Sequence, residues 1–539
     1  MTKYYCQDDQ APLVNAPPEQ ALNPLLRRAD WRFILPDPQP HMSICYTRGF
    51  LAQAVRAISD RQVDPQDASR GTCDLAAAVD PDRKTLEAAW TALRAGGMCY
   101  TEWYSPSSAN YQGVRRRLSA AGFEQVSCYW AWPLPTRAPA IFWIPLQAPG
   151  AQGYFMSHRP PDASKLRNSL RALVRFLWRV AHDVGLTFPV LAVARKPVDA
   201  NTAATRNELN PALLDSICAH WEEWGLGPAP DRLSWLLLTG GENSNNKAVG
   251  LVFGEPDARA RIAVKMPRVP GSVPGLLREK TTLEQVYADR KDLVGIPQIL
   301  FCQQRGAFVA LGETALEGVP LYTRLERSNY RQLALAASNW QIQLAGQGPP
   351  VPSEAWWGQL VEPLLEEFNR SFGSVVEPDR CARAREVLGT LGALPLVCEQ
   401  RDFSPWNVMV TANDQLAVLD WESSETRGLP AADLIYFLAH AGFFLDGAWR
   451  TGRFRESYQT ALDVSTLTGS VQSETLSHYA GQVCIPSYAL GPLRLYTWMV
   501  HACSQYRRAL GSGIQPSTEW LRLSSFLNLW EEEMRRYDR

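Results

Sequence analysis

The stretch Pro395–Glu422, PLVCEQRDFSPWNVMVTANDQLAVLDWE, decides how the second half of this chain folds and where its chemistry lies. Its apolar start, Leu396–Cys398, predicts a strand leading into Gln400-Arg401-Asp402 and then Phe403-Ser404-Pro405-Trp406-Asn407. A strand, a turn and a second strand follow, the last ending at Asp420. A loop with Asp and Asn five residues apart can aim the carboxylate at one group and the amide at another. The hairpin then returns a second carboxylate, Asp420, to the same place. Phosphoryl transfer asks for such a set: a carboxylate at the attacking hydroxyl, and oxygen ligands for Mg2+ that hold the β- and γ-phosphates.

Upstream, Leu233 begins a strand–turn–strand–turn–strand meander over Ser234–Thr239, Lys247–Phe253 and Arg261–Met266. Gly240 and Gly241, followed by Asn243, Asn245 and Asn246, suit a tight loop whose backbone N–H groups could cover phosphates, although such residues also make an ordinary hairpin. Lys265 sits in the apolar strand Ile262-Ala263-Val264-Lys265, and a buried ammonium needs an anionic partner. Leu276–Tyr287 has helical spacing, and Glu279 falls in line with Leu276, Leu283 and Val286 on its apolar face. A Lys on a strand and a Glu on the inward face of the next helix match the ion pair that aims a kinase lysine at the α- and β-phosphates. Glu284, one turn on and nearer the polar side, is the alternative partner.

These segments resemble the aminoglycoside phosphotransferase/choline kinase-like family over roughly residues 206–539. QRDFSPWNVMV matches that family's H-x-D-x-x-x-x-N loop, LAVLDWE its metal-binding strand, and GLPAADLIYFL the segment beyond, with Asp433 at its structural Asp. The resemblance implies ATP and Mg2+ as cofactors, Asp402 as catalytic base, Asn407 and Asp420 as metal ligands, and Lys265 on the phosphates. It also implies an interlobe connector at Phe308–Gly318 and helical walls for an acceptor pocket near Trp498, His501 and Tyr506, residues that simple helix packing would equally explain. Gln400 stands where the family usually has His. That His is mainly a scaffold, and a Gln amide can still hydrogen-bond the backbone.

The first half alternates strands and helices, which predicts an α/β sheet. Expected are strands at Ser43–Tyr46, Cys73–Val79, Met98–Trp103 and Gln125–Trp130, helices at Phe50–Ile58, Arg83–Leu93 and Tyr111–Ala121, and a turn at Arg94–Gly97. LRAGGMCYTEW, RRLSAAGFEQVSCYWAWP and PVLAVARKP resemble the fifth, sixth and seventh strands of a class I methyltransferase. The cofactor end departs from that pattern. Tyr46-Thr47-Arg48-Gly49-Phe50 has one Gly and a bulky Arg where a Gly-rich turn is expected, and Asp64 is the candidate for the ribose hydroxyls. The resemblance therefore implies a degenerate Rossmann-like domain. Within it, Ser164–Asp183 combines an apolar helical stripe with Arg167, Arg171, Arg175 and Arg179, suited to packing or to peripheral contact with anionic lipid.

At 539 residues, with 46% hydrophobic and 20% charged residues, the chain predicts two or three globular domains. The expected division is a flexible arm at 1–29, the α/β methyltransferase-type domain at 30–198, and an α+β bilobal protein-kinase-like fold with its N-lobe at 206–318 and its helical C-lobe at 319–539. A net charge of -1 gives no footprint for nucleic acid. The eleven Cys include no CxxC and no zinc spacing. Together with the lack of an apolar leader this predicts a reduced, cytoplasmic protein. The sequence thus predicts a small-molecule kinase acting on a hydroxyl of a sugar, amino alcohol or glycolipid precursor. A non-catalytic kinase-fold scaffold, and a methyltransferase with an appended kinase-like regulatory domain, are the alternatives.

Overall fold

The computed structural model describes residues 24–105, 110–136, 139–157, 189–198, 209–241, 246–305, 308–346, 348–511 and 513–538. Ser164–Asp183, the Arg-striped segment, lies outside them. The chain forms two compact units: one of Pro274–Ile299 and Leu316–Arg539, the other of the described residues up to Val273 together with Leu300–Ala315.

Among the described residues, the second of these units is built on a twelve-stranded sheet. Its strands are β1 (Met42–Cys45), β2 (Arg61–Val63), β3 (Cys73–Val79), β4 (Leu93–Trp103), β5 (Glu124–Trp132), β6 (Phe142–Pro145), β7 (Val190–Arg195), β8 (Leu233–Leu238), β9 (Ala248–Gly254), β10 (Ala260–Met266), β11 (Ile299–Arg305) and β12 (Phe308–Thr314). The order is β11-β12-β10-β9-β8-β6-β5-β7-β4-β3-β1-β2. At one end β2, β1, β3 and β4 run parallel, and β7 inserts antiparallel between β4 and β5. Helices α1 (Phe50–Ile58), α2 (Arg83–Ala92) and α3 (Tyr111–Ala120) supply the crossovers, with Leu51 and Val55, Leu86 and Ala89, and Val114 and Leu118 turned inward. At the other end β8, β9, β10 and β12 form the antiparallel meander.

The two ends are joined by β6, a four-residue strand that pairs with β5 on one side and with β8 on the other, Phe142 facing Leu238 and Trp143 facing Leu237. One sheet therefore crosses the interval 198–206, where the sequence suggests a boundary. One apolar layer does the same, running from Leu75 and Tyr100 through Trp143 to Trp235, Val252 and Val264. Two other local expectations change. Arg94–Gly97 lies within β4 as a bulge, with Gly96 at φ 76° and the pairing with β3 passing from Leu93 to Met98. Of the arm expected over 1–29, residues 24–28 are helical and Leu26, Arg27, Arg28 and Ala29 are buried.

The other unit has a single large core packed from helices around two small sheets. Helix α4 (Val273–Asp289) enters it, and α5 (Tyr330–Ala345), α6 (Ala432–Leu445) and α7 (Leu490–Gly511) carry much of its buried surface. Strands β13 (Val319–Pro320), β15 (Val408–Val410) and β16 (Leu416–Val418) form one small sheet, while β14 (Val397–Glu399) pairs with β17 (Glu425–Gly428). No helix among the described residues is long and apolar enough to cross a membrane. The described cysteines are free, and five of them (Cys45, Cys73, Cys99, Cys128 and Cys503) are buried.

The β6–β8 seam has a direct consequence. A fragment beginning at residue 206 exposes the edge of β8 and uncovers apolar surface, a combination that invites aggregation. Such a fragment should be recovered from inclusion bodies while the full chain elutes as a discrete species in size-exclusion chromatography. A soluble, cooperatively melting fragment would show that the seam is dispensable.

Candidate active site

The loop after β14 is held from below by a carboxylate. Asp433, in the first turn of α6, accepts the N–H groups of Gln400 (2.6 Å) and Arg401 (2.8 Å) through its two oxygens. Arg401 takes a left-handed conformation, φ 62°. A residue with a Cβ pays for that geometry with strain of about 1–3 kcal/mol, so the surroundings must impose it. The Arg401 guanidinium is tied back to Glu399 at 2.8 Å.

Gln400 is fully buried and bridges two backbones. Its Oε1 accepts from Asp402 N–H at 2.8 Å, and its Nε2 donates to the carbonyls of Leu419 (2.9 Å) and Asp420 (2.5 Å). One amide thus fixes the base loop to the end of β16. The expectation that Gln400 is a scaffold fits this geometry. Asp420 is itself left-handed, φ 65°. The next residue, Trp421, is fully buried, and its N–H donates to Glu279 Oε1 at 2.9 Å. Helix α4 reinforces the same turn through Thr282, bonded to Ser424 at 2.8 Å, and Arg278, which donates to the Glu422 carbonyl at 3.0 Å.

Within this frame Asn407 Nδ2 donates to the Asp402 carboxylate (2.9 Å) and to its carbonyl (3.0 Å). The amide nitrogen is used, and the amide oxygen is the end that remains for a ligand. Asp402 is half-buried, and burial pushes its carboxyl up to about 7. The Arg508 charge pulls it down, Asp420 and Glu422 push it up, and the Asn407 bond pulls it down again. Tyr436, one turn beyond Asp433 on α6, is raised by burial and then by the neighbouring Asp402 charge. Burial raises Asp433 to about 6 and Glu399 to about 7 as well.

An aromatic strip continues from the base. The Tyr436 ring stacks on His501 (3.7 Å) and touches His440 (4.1 Å); Trp406 meets His440, Phe444 and Trp449 edge-on, and Phe444 stacks on Tyr322. Burial lowers His440 to about 4 and also lowers His501 well below its ordinary value. The strip reaches the surface at Trp449, which is 44% exposed. Trp498 is fully buried and donates to the Tyr458 hydroxyl at 2.8 Å, which is helix packing.

Of the remaining expected residues, Lys265, Gly240 and Gly241 lie in the other unit and Glu284 on α4 in this one. Lys265 on β10 is buried, 2.8 Å from Glu313 on β12. In the antiparallel register Lys265 faces Leu311 and Ala263 faces Glu313, so Lys265 and Glu313 are diagonal neighbours on one face. Glu279 on α4 also holds the Trp421 backbone, as described above. Glu284 pairs with Lys280 on the surface. Gly240 and Gly241 follow β8, Gly241 with φ 83°, and a Cβ there would run into the Asn246 side chain.

Asn407 and Asp420 offer two hard oxygen donors. Mg2+ takes about that many from a protein when water and substrate phosphates complete its octahedron, so the pair fits the ion. Among the described residues no group of three or more His, Cys, Asp or Glu is placed to hold a metal by itself.

Residues 240–464 match the model of the phosphotransferase enzyme family. No curated protein matches the chain. Among solved structures, the ADP-bound aminoglycoside phosphotransferase APH(2'')-Ib is 14% identical, covering 59% of this chain and 98% of its own, with a TM-score of 0.35. A choline/ethanolamine kinase family protein from Mesorhizobium loti is 13% identical, covering 60% and 94%, with a TM-score of 0.34.

Sequence reasoning did not weigh Glu313, Tyr436 or Arg508. Tyr436 had a signal, since it lies three residues after Asp433 and on the same helix face. Gln400 supplies the test of the scaffold. Gln400→Ala leaves the buried Asp402 N–H and the Leu419 and Asp420 carbonyls without their partner, and an orphaned group of this kind costs about 1–3 kcal/mol. Urea unfolding should show a loss in that range or above for Gln400→Ala, and a smaller one for Gln400→His, whose ring keeps one donor and one acceptor. Equal stability of Gln400→Ala and the native chain would rule the bridge out.

Proposed function

We propose that this protein transfers the γ-phosphate of ATP to a hydroxyl of a small molecule, with Asp402 as the base and Asn407 and Asp420 as ligands of Mg2+. The observation that carries the reading is the joint fixing of the three side chains. Asp433 and Gln400 hold the loop of Asp402 and Asn407, while Gln400 and Glu279 hold the turn of Asp420. Mg2+ bound there would neutralise charge on the β- and γ-phosphates. Asp402 orients the acceptor hydroxyl and takes its proton. Its raised pKa, about 7, sits where a general base works best near neutral pH. Lys265, paired with Glu313, and the N–H groups of Gly240 and Gly241 are assigned to the nucleotide phosphates. The aromatic strip from Tyr436 to Trp449 supports an acceptor with a flat or apolar face beside its hydroxyl.

The sheet order supports a second reading of the N-terminal region, as a methyltransferase-like domain that has lost its cofactor site. Antiparallel β7 between β4 and β5 suits that topology. At the carboxyl ends of the parallel strands, where such sheets bind ligands, the chain packs against itself. Glu102 near the end of β4 accepts from Arg28 at 2.6 Å and from the hydroxyls of Tyr100 and Tyr104, and Trp31 stacks on Tyr100 at 3.8 Å. A scaffold role follows more naturally than methyl transfer.

Steady-state ADP release with Mg-ATP and a panel of hydroxylated acceptors tests the main reading. Asp402→Ala should retain nucleotide binding and lose about 10²–10⁴-fold in turnover. Asp420→Asn should weaken Mg-ATP binding in calorimetry as well as turnover. Because the base must be ionised, kcat/KM of the native enzyme should rise with pH through about 7 and then level. Full turnover by Asp402→Ala would remove it from the chemistry.

A further inference from the structure

Three buried side chains converge on the glycine turn at the end of β8. Arg268, just beyond β10, is 3% exposed, and Arg27 and Asp30 in the N-terminal segment are 5% and 0% exposed. Arg268 Nε and Nη2 donate to the two Asp30 oxygens at 2.8 and 3.0 Å. The same guanidinium donates to the carbonyls of Thr239 (2.8 Å), Gly240 (3.1 Å) and Asn246 (2.9 Å), and so ties both flanks of the turn together. Arg27 donates to Asp30 at 3.2 Å, to the Thr239 carbonyl at 3.1 Å and to the Gly241 carbonyl. From the far side, Thr239 N–H donates to the Ile141 carbonyl at 2.7 Å, and Trp143 Nε1 donates to the Thr239 hydroxyl at 3.2 Å.

This captures three successive carbonyls, those of Thr239, Gly240 and Gly241, on one side of the turn. In a planar trans peptide the N–H points opposite to the C=O. Fixing the carbonyls of Thr239 and Gly240 therefore turns the N–H groups of Gly240 and Gly241 to the other side. Among the described residues neither N–H has an acceptor. Consecutive N–H groups turned the same way make a concavity for an anion.

We propose that Asp30, Arg27 and Arg268 form a clamp that positions the Gly240–Gly241 N–H groups for a nucleotide phosphate, so that the N-terminal segment sets nucleotide affinity. This rests on the nucleotide-binding reading above. The three are positioning residues, since they engage the carbonyls and leave the N–H groups to the ligand. Arg is needed rather than Lys, because one planar fork serves a carboxylate and three carbonyls at once.

Two measurements on the full chain test the clamp. Arg268→Lys keeps the charge and loses the fork. It should raise the Kd for Mg·ADP about 5- to 150-fold, the range over which coupled sites alter each other's affinity. KM for ATP should rise in step, while kcat at saturating ATP moves far less. Breaking a buried ion pair can unfold a protein, so the second measurement uses the native chain. Hydrogen exchange with and without Mg·ADP should slow over residues 24–35 together with residues 233–241, because coupling is reciprocal. Slowing at 233–241 with none at 24–35, or a folded Arg268→Lys protein with native Mg·ADP affinity, overturns the clamp. A native chain that binds no Mg·ADP overturns the nucleotide reading itself, and the clamp with it.

Discussion

The candidate site depends on one buried carboxylate. Asp433 accepts two consecutive backbone N–H groups, those of Gln400 and Arg401, and so imposes a peptide geometry that Arg401 would not adopt on its own. Everything above it inherits that turn. Gln400 points its amide at the end of β16, Asp402 emerges beside Asn407, and Asp420 is left-handed where the Gln400 donor meets its carbonyl. The cost appears in the acid itself, since burial raises Asp433 to about 6. Bonds from Gln400 and Arg401 N–H lower it again, so the turn and the charge sustain one another.

The N-terminal half is joined to the glycine turn after β8 by hydrogen bonds within one sheet unit. β6 supplies the missing neighbour for β8, and its Trp143 reaches the Thr239 hydroxyl at the start of the glycine turn. Arg27 and Asp30 reach the same turn from the N-terminal segment. A sheet that ended at β8 would present an open edge and an uncovered apolar layer. Such an extension can persist for mechanical reasons even where its own ligand crevice is filled by Arg28, Glu102 and Trp31.

Much of the C-terminal architecture was legible because its chemistry is local. Asp402, Asn407 and Asp420 lie within nineteen residues of one another, and strand–turn–strand patterning places them by itself. The helix with Glu279 on its inward face was legible from period alone, and the structure buries that side chain fully. The seam was not. Phe142–Pro145 is four residues long between prolines, too short for alternation to register. β4 looked broken because Gly96 and Gly97 signal a turn, and that signal is real: Gly96 has φ 76°, and Arg94–Gly97 bulges between the Leu93 and Met98 pairings with β3. Glu313 escaped notice because a diagonal cross-strand pair depends on register, which no single strand reveals. The buried helical turn at 24–28 failed for another reason. Its arginines read as solvent-facing until Asp30, Glu102 and the turn carbonyls are known to receive them.

The electrostatics of the loop oppose its stability, and the direction is informative. Glu399, Asp402 and Asp433 all have pKa values raised above those of unfolded carboxylates near 4. Their stabilising contribution is therefore complete below about pH 4 and is lost as pH rises through 6 to 7, where the folded chain must carry the charges. A loop selected for stability alone would replace one of them with a neutral residue. Asp420 and Glu422 are the wrong neighbours for Asp402 unless something positive joins them, because each pushes its pKa up. Arg508 offsets part of this from α7. A divalent cation between Asn407 and Asp420 would offset more, and would lower the Asp402 pKa as it arrived. On that account Asp402 is about half protonated near pH 7 in the resting site, and a cation held by Asn407 and Asp420 would favour its ionised form.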